Sequence, residues 1–404
     1  MINIAVMGYG TVGSGVYEVI RTNQDMINKR AGEDINVKYV LDLRDFPGDP
    51  VESVLTHDFD TILNDDEVKI VVEVMGGVEP AYTFVKKLLL AKKSVCTSNK
   101  ELVAKHGPEL IRIAKDNTIN FLFEASVGGG IPIIRPLNTS LTADKINEIS
   151  GILNGTTNYI LTRMTDEGWD FDSALKKAQE LGYAERNPEA DIEGYDACRK
   201  IAILTSLACE KTVSFEDIYT EGISKITVRD IQYARKMGRN IKLLASSVLD
   251  DNDIYAMVAP FMVPSTHPLY SISGVFNAIF VKGNMVGDTM FYGSGAGKLP
   301  TASAVVGDVV DAARNLNRNM PIAWRDEKCS LTSLEKSKRS FFVRVSGTPG
   351  ARFDDIAKAF KAKEVIELEG VSDEFGFITS QMSEKEFADN YASLEGAITR
   401  IRLV

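Results

Sequence analysis

The sequence predicts an α/β protein of two or three domains, and three observations support this fold class. An apolar run at residues 2–7 leads into a glycine-rich turn and then into a helical pattern. Short runs typical of buried parallel strands follow within the first 130 residues. Residues 340–404 show strand and helix patterns in the order βαββαβ. At 404 residues the chain is too long for a single hydrophobic core.

Composition excludes several classes of function. The formal net charge is −10 and basic residues do not cluster, so we expect no nucleic-acid partner. The chain has no apolar run of about 18 residues and no charged-then-apolar leader. We therefore expect neither a membrane span nor a signal peptide, and the cytoplasm is the expected location.

The numbers and positions of cysteines and histidines limit which residues can carry out catalysis. The four cysteines are scattered without a C-x-x-C pair, which favours reduced thiols over disulfides or zinc ligands. Only three histidines are present, so a histidine-based acid/base mechanism is poorly supplied. Lysines and carboxylates are the better candidates for proton transfer.

The turn after the first strand has the sequence G-Y-G-T-V-G and the order strand, turn, helix that dinucleotide sites require. Gly8 permits the tight turn, Gly10 lets a pyrophosphate approach the backbone, and Gly13 lets the helix pack on the strand. The phosphates then lie at the helix N-terminus. We therefore predict a Rossmann dinucleotide-binding domain over residues 1–130, rather than a glycine-rich turn without a ligand.

The second strand, at residues 37–41, ends in Asp42-Leu43-Arg44, where the adenosine ribose should lie. An acid such as Asp42 suits a free 2′-hydroxyl, whereas an arginine such as Arg44 suits a 2′-phosphate. Both NAD and NADP therefore stay open. We slightly favour NADP, with Arg44 as its phosphate ligand.

Further runs at residues 69–75 and 94–97 are typical of parallel strands whose carboxyl ends point at the cofactor. Ser98, Asn99 and Lys100 follow the second run. Because active residues of such sheets follow strand ends, Lys100 is a candidate for the active site. The alternative is a solvated lysine at the start of a helix.

The segment from Ala178 to Lys200 presents carboxylates and an ammonium at a loop-to-helix junction. Asp196 and Lys200 are four residues apart, hence on one face of the helix that continues into the apolar run at residues 201–204. One turn of helix would thus aim an acid and a base together. The alternative is a solvated ion pair, which is common at this spacing.

This segment contains the complete pattern A-x3-G-Y-A-x2-N-P-x2-D-I-x-G-x-D-x3-K, which resembles the signature of homoserine dehydrogenases. Three shorter elements are similar to motifs of the same family: T-x-N-K-E-L at residues 97–102, G-I-x-N-G-T-T-N-Y at 151–159, and G-x-G-A-G-x2-P-T-A-S at 293–303. Together the motifs cover nearly all of residues 1–312.

The resemblance implies a set of site residues. The catalytic group would be Lys200, Lys100 and Asp196, and the substrate would be bound by Glu185, Asp191, Asp196, Gly155 and Thr156. Cofactor contacts would come from Gly8, Gly10, Thr11, Val12, Gly13, Arg44, Ser98, Lys100, Gly182 and Gly297. A sodium ion would take mainly main-chain oxygens of Glu124, Val127, Gly129 and Ile131, in a loop that could equally be an interdomain hinge.

The resemblance also implies a reaction and a domain plan. The reaction is reversible NAD(P)H-dependent reduction of L-aspartate 4-semialdehyde to L-homoserine, in threonine and methionine biosynthesis. The nucleotide domain would comprise residues 1–130 and a return segment at about 300–325. A substrate-binding and dimerisation domain of α+β type would comprise residues 131–300. Residues 339–404 resemble an ACT regulatory module, although an amino-acid effector and a purely structural or dimerising role both stay open. A homodimer is expected.

Two other classes of protein are alternatives. An acylating semialdehyde dehydrogenase would need a cysteine nucleophile, for which Cys96 or Cys198 are candidates. A nucleotide-sensing protein without catalysis would bind the cofactor but would not oxidise homoserine.

Overall fold

The computed structural model describes residues 1–250, 253–350 and 352–404. Contacts divide the chain into two compact units. Unit 1 comprises Met1–Ile146, Ala202–Glu216 and Gly283–Cys329, and unit 2 comprises Asn147–Ile201, Asp217–Lys282 and Ser330–Val404. No helix of the described residues is long and apolar enough to cross a membrane.

The secondary structure alternates strands and helices along most of the chain. The strands are β1 (Ile2–Met7), β2 (Ile35–Leu41), β3 (Leu55–Thr56), β4 (Val68–Glu73), β5 (Ser94–Thr97), β6 (Phe121–Leu122), β7 (Ile146–Ile152), β8 (Tyr219–Thr220), β9 (Arg239–Leu249), β10 (Ile254–Pro264), β11 (Phe276–Gly283), β12 (Gly287–Ser294), β13 (Lys338–Arg339), β14 (Phe341–Ser346), β15 (Val365–Ile366), β16 (Glu374–Ile378), β17 (Met382–Ser383) and β18 (Ala397–Leu403). The helices are α1 (Thr11–Thr22), α2 (Gln24–Ala31), α3 (Phe59–Leu63), α4 (Ala81–Leu90), α5 (Lys100–Asp116), α6 (Gly155–Glu167), α7 (Phe171–Glu180), α8 (Glu189–Ile192), α9 (Tyr195–Cys209), α10 (Val228–Lys236), α11 (Lys298–Arg314), α12 (Arg352–Phe360) and α13 (Glu384–Ala392).

Unit 1 is built on a parallel sheet with the strand order β3-β2-β1-β4-β5-β6. This is the doubly wound order of dinucleotide-binding domains, with the switch point between β1 and β4. The predicted Rossmann fold is thereby confirmed. Strand β5 is buried along its whole length, which explains its continuous run without alternation.

The late helix α11 belongs to unit 1, where it packs against α1. The approach is close, because a Cβ atom at Gly15 would lie 2.8 Å from the carbonyl oxygen of Lys298. A stretch that looks polar in the sequence, residues 315–338, also contributes to packing. Trp324 is 4% exposed, and its ring lies over Gly107 and beside Phe123.

Unit 2 contains a mixed sheet in which β11, β7, β9, β10, β18, β14, β16 and β15 follow one another in this order. Its centre is the long antiparallel pair β9 and β10, which joins Ile254 to Leu249 at one end and Pro264 to Arg239 at the other. Strand β9 was not predicted from the sequence. Strand β18 pairs parallel with β10.

The C-terminal elements have the predicted order βαββαβ, as β14, α12, β15, β16, α13 and β18. Their sheet order, β18-β14-β16-β15, is that of a ferredoxin-like split βαβ arrangement. Two ion pairs join this segment to the rest of unit 2. Arg402 bonds Glu221 at 2.8 Å, and Arg344 bonds the fully buried Asp230 at 2.6 Å. The boundaries of three separate domains stay a prediction.

Candidate active site

The glycine turn of unit 1 shows which glycines the backbone itself requires. Gly8 has φ +98°, and a Cβ atom at Gly13 would lie 1.9 Å from the carbonyl oxygen of Gly8. A Cβ atom at Gly10 would meet nothing within 4 Å. Gly10 therefore leaves room for a ligand. Helix α1 begins next, and no side chain caps it, so the N–H groups of Thr11 and Val12 suit an anion.

A cavity of about 550 Å³ lies beside this turn and holds both groups predicted for the ribose. The carboxylate of Asp42 accepts hydrogen bonds from Nε and Nη2 of Arg44, at 2.9 and 3.0 Å, and from the N–H of Tyr9 at 2.8 Å. The hydrogen bonds from Arg44 and the backbone hold the pKa of Asp42 well below its usual range. Arg44 and Asp42 thus form an ion pair with each other.

The same cavity is lined by His57, which sequence reasoning missed. Its Nδ1 lies 2.7 Å from the carbonyl oxygen of Asp42, and its Nε2 lies 3.0 Å from Asp45. The bond to the Asp42 carbonyl raises the pKa of His57. The signal in the sequence was weak, since His57 follows the two-residue strand β3.

The carboxyl ends of β4 and β5 are joined by a buried acid that was also missed. Glu73 is 0% exposed, and its Oε2 accepts a hydrogen bond from the Thr97 hydroxyl at 2.6 Å while Oε1 accepts the N–H of Met75 at 2.9 Å. Burial raises the pKa of Glu73, and hydrogen bonds from Thr97, Met75, Asn99 and Gly76 oppose that shift. An acid at the end of an otherwise apolar strand was the available signal.

Asn99 completes this network and starts helix α5. Its Oδ1 accepts the N–H of Leu102 at 3.1 Å, and its Nδ2 donates to the Gly77 carbonyl at 2.6 Å. Ser98 and Lys100 flank this cap at the strand end, and their cofactor contacts stay a prediction. The network fixes the two loops that follow β4 and β5.

The loop predicted to bind sodium has a well-defined carboxylate. Glu124 is 3% exposed and accepts the N–H groups of Ile133, Ile134 and Arg135 at 2.5, 2.8 and 2.7 Å. Its side chain is therefore committed to the backbone. Within the described residues, no hydrogen bond reaches the main-chain oxygens of the other predicted ligands, Val127, Gly129 and Ile131.

In unit 2 the predicted acid and base are brought together inside the protein. Nζ of Lys200 donates to Oδ2 of Asp196 at 2.7 Å and to the Leu153 carbonyl at 2.7 Å. Lys200 is 8% exposed and Asp196 is 5% exposed. A solvated surface pair is therefore ruled out. Both residues lie on the first turns of α9, as their spacing predicted.

Asp191 joins this group through Asn154. Nδ2 of Asn154 donates to Oδ1 of Asp191 at 2.7 Å and to Oδ2 of Asp196 at 3.0 Å. Asn154 is also the N-cap of α6, since its Oδ1 accepts the N–H of Thr157 at 2.9 Å. The sequence motif contained Asn154, but only its neighbours were predicted as site residues.

The other predicted residues of unit 2 have mixed placements. Thr156 is buried and its hydroxyl donates to the Tyr183 carbonyl at 2.6 Å, while Gly155 packs against the Val275 carbonyl. Glu185 is exposed, with its carbonyl accepting from Gln179. Gly182 ends the turn after α7 with φ +74°, which explains the glycine without any ligand. Its predicted cofactor contact stays a prediction.

The cysteines do not resemble activated nucleophiles. Cys96 is 0% exposed and burial raises its pKa well above the usual value. Burial also raises the pKa of Cys198. Reactive cysteines have lowered pKa values and partial exposure, so the acylating alternative is disfavoured.

Comparison with known proteins identifies the family of the chain. Residues 132–310 match the family described as homoserine dehydrogenase, and residues 8–124 match the family described as homoserine dehydrogenase, NAD binding domain. The homoserine dehydrogenase of Bacillus subtilis (strain 168) is 43% identical over 319 residues, covering 78% of this chain and 73% of that protein.

Solved structures extend the similarity to the fold. A homoserine dehydrogenase from Thiobacillus denitrificans matches with a TM-score of 0.92 at 36% identity, covering 100% of this chain and 98% of that one. A hyperthermophilic archaeal homoserine dehydrogenase mutant in complex with NADPH matches with a TM-score of 0.64 at 29% identity, over 77% of this chain and 97% of that one. The chain belongs to the homoserine dehydrogenase family.

Proposed function

We propose that this chain reversibly reduces L-aspartate 4-semialdehyde to L-homoserine, a step in the biosynthesis of threonine and methionine. As a family member it is an NAD(P)-dependent oxidoreductase acting on a CH–OH group. The observation that supports the proposal best is the buried Lys200, held by Asp196 and the Leu153 carbonyl. Burial of an ammonium costs free energy, which the two acceptors of Lys200 offset here.

In this proposal, side chains of the protein donate or accept the proton of the reaction. The nicotinamide, when bound, supplies or accepts the hydride at the substrate carbon. Reduction leaves negative charge on the aldehyde oxygen, which needs a proton donor or a cation nearby. An ammonium has three N–H groups, and acceptors within the described residues take two of those on Lys200. The third is available to the substrate oxygen.

The carboxylates orient the substrate in this proposal. The side chain of Glu185 is exposed, so it is accessible to the substrate ammonium and pairs with it. Asp191 and Asp196 orient the polar groups around Lys200. Gly155 and Thr156 form the floor of the substrate site at the start of α6. Lys100, at the first position of α5, is the second proposed catalytic lysine.

We propose that both NAD and NADP bind, with a preference for NADP through Arg44. The cavity of unit 1 suits an adenosine, because the stacked rings of Phe59 and Phe84 contribute apolar wall beside Asp42. Arg44 is 63% exposed at its side chain, so it can share its guanidinium between Asp42 and a 2′-phosphate. Gly297 is a further proposed cofactor contact, and it is the N-cap of α11 with φ +120°.

We also propose a structural sodium ion in the loop that contains Glu124. Main-chain oxygens suit a hard cation, and those of Glu124, Val127, Gly129 and Ile131 are the donor set. The side chain of Glu124 would stabilise the loop rather than bind the ion, because three N–H groups already occupy it.

A homodimer is proposed from the exposed apolar side chains around β12. Met290 and Tyr292 alternate outward along this strand, and Met285 and Val286 precede it at 78% and 51% exposure. Such a row suits a second copy of the chain. The four cysteines form no disulfide within the described residues, which suits the reducing cytoplasm. For residues 339–404 we propose an ACT-like regulatory role.

One assay tests the proposal. Purified protein is mixed with L-homoserine and either NAD⁺ or NADP⁺, and nicotinamide reduction is followed by absorbance. We expect turnover with both cofactors. Cofactor binding without oxidation of homoserine would instead support the nucleotide-sensing alternative. Loss of activity on changing Cys96 and Cys198 to serine would support the acylating alternative.

A further inference from the structure

We infer that Asn154 is a positioning residue of the reaction, whose single amide nitrogen holds the two acids Asp191 and Asp196 in place around Lys200. This inference rests on the proposed function. It concerns a residue that touches neither cofactor nor substrate in the proposal. It acts through the groups that do.

The hydrogen bonds determine which way the amide points. Oδ1 of Asn154 accepts the N–H of Thr157 at 2.9 Å, so the oxygen must face the first turn of α6. The nitrogen then faces Asp191 at 2.7 Å and Asp196 at 3.0 Å. The reversed amide would set oxygen against two carboxylates and nitrogen against an N–H group. Only one orientation satisfies all three partners.

Both N–H groups of the amide are used. A primary amide has two N–H groups and one carbonyl oxygen, and here one N–H serves each acid while the oxygen caps the helix. Asn154 is 6% exposed, so water cannot easily replace these bonds. An aspartate would keep the cap but lose both donors, and a serine would keep only a short capping oxygen. The position therefore requires asparagine for more than the helix.

The backbone just after the end of β7 also accepts a hydrogen bond from Lys200. The residue before Asn154, Leu153, gives its carbonyl to Nζ of Lys200 at 2.7 Å. Oδ2 of Asp196 accepts from both Asn154 and Lys200. The backbone from Leu153 to Asn154 thus sets the place of one cation and two acids at once. Two acids near one nitrogen repel each other, and the shared donor offsets that repulsion.

The test compares two variants of Asn154 that leave a capping oxygen. Asn154→Ser removes the bridge without adding charge, and Asn154→Asp removes it and adds a third acid. We expect kcat to fall by roughly 10- to 100-fold in Asn154→Ser, because small displacements of reacting groups are costly. We expect a larger fall in Asn154→Asp, together with an acid limb of the kcat profile that moves to higher pH, because a like charge raises the pKa of neighbouring acids.

A matched control separates capping from positioning. Asp170 caps α7 by accepting the N–H of Ser173 at 2.7 Å and is exposed. Asp170→Asn replaces an aspartate with an asparagine, the reverse of Asn154→Asp, at an N-cap away from the site. This variant should leave kcat and its pH profile unchanged. Circular dichroism and thermal melts check that all variants are folded.

The outcomes decide the inference. If Asn154→Ser and Asn154→Asp lose activity only in proportion to lost stability, with one common pH profile, then Asn154 is merely a cap and the inference is wrong. A crystal structure of Asn154→Ser tests the same point without turnover. The carboxylates of Asp191 and Asp196 should separate, and unchanged positions would overturn the inference. An inactive wild-type enzyme would count against the proposed function alone.

Discussion

Each unit of the molecule begins a helix with a buried asparagine, but the two asparagines organise different charges. In unit 1, Asn99 caps α5 and donates to the neutral carbonyl of Gly77 in a network around Glu73. In unit 2, Asn154 caps α6 and donates to two acids beside Lys200.

The difference lies in how the buried acid is neutralised. No cation is among the groups that bond Glu73 within the described chain, and burial raises its pKa, so protonation can relieve its charge. In unit 2 the acid Asp196 has the ammonium of Lys200 at 2.7 Å. The same local feature, an asparagine that caps a helix after a strand, therefore belongs to a mostly neutral network in unit 1 and to a charged network in unit 2. We expect substitutions in the charged network to cost far more activity.

The largest effect is expected for Lys200→Met. Loss of a general acid or base usually lowers kcat by roughly 10² to 10⁴-fold, and cofactor affinity should change little. The exposed pair of Lys177 and Glu180 provides the control, and Lys177→Met should leave kcat unchanged. Single-turnover kinetics and nicotinamide binding measure both. Near-normal turnover in Lys200→Met would leave Lys100 as the remaining candidate acid.

The exposed ion pair of unit 1 should show a smaller and more selective effect. Arg44→Ala should weaken NADP binding by about 10- to 100-fold, the usual effect of losing a charge-assisted bond to phosphate, and NAD binding much less. Titration of each cofactor by fluorescence measures this. Lys29→Ala, an exposed change in the same unit, serves as control. Equal losses for both cofactors would refute the role of Arg44.

The neutral cap should tolerate substitution better than the charged one. Asn99→Ser keeps a capping oxygen and loses the amide bonds to the Gly77 carbonyl and to Glu73, and the bond to the neutral carbonyl contributes about 1 kcal/mol. We expect kcat/KM for the cofactor to fall only several-fold. A loss as large as that in Asn154→Ser would contradict the contrast between the two networks.

The smallest effect concerns the pH dependence of stability. Because the folded pKa of Glu73 is raised above its usual value of about 4.3, the folded chain holds this proton more tightly than the unfolded chain. Wild-type stability is therefore lost as pH rises through the interval between the two pKa values. Glu73→Gln keeps the shape and lacks this loss, so its melting temperature relative to wild type should rise from pH 4 to pH 8. A constant difference would show that folding leaves the pKa of Glu73 unchanged and would contradict this expectation.

Local patterns predicted much of the fold and part of the site. The strand, glycine turn and helix of unit 1 follow from backbone sterics at Gly8 and Gly13, which act within a few residues. The predicted strand at residues 94–97 matches β5. Strand β9 was missed, because it is buried nearly throughout and its residues lack the alternation of a half-buried strand.

The sequence by itself determined that Asp196 and Lys200 share a helical face, because the α-helical repeat brings residues four apart together. Only the tertiary structure decided that this pair is buried rather than solvated, and that Asn154 bonds Asp191 and Asp196 across 37 and 42 residues. The physical reason is the distance along the chain over which each effect acts. Periodicity and turn chemistry act between neighbours in the chain, whereas burial and the partners of a buried polar group depend on how distant segments pack.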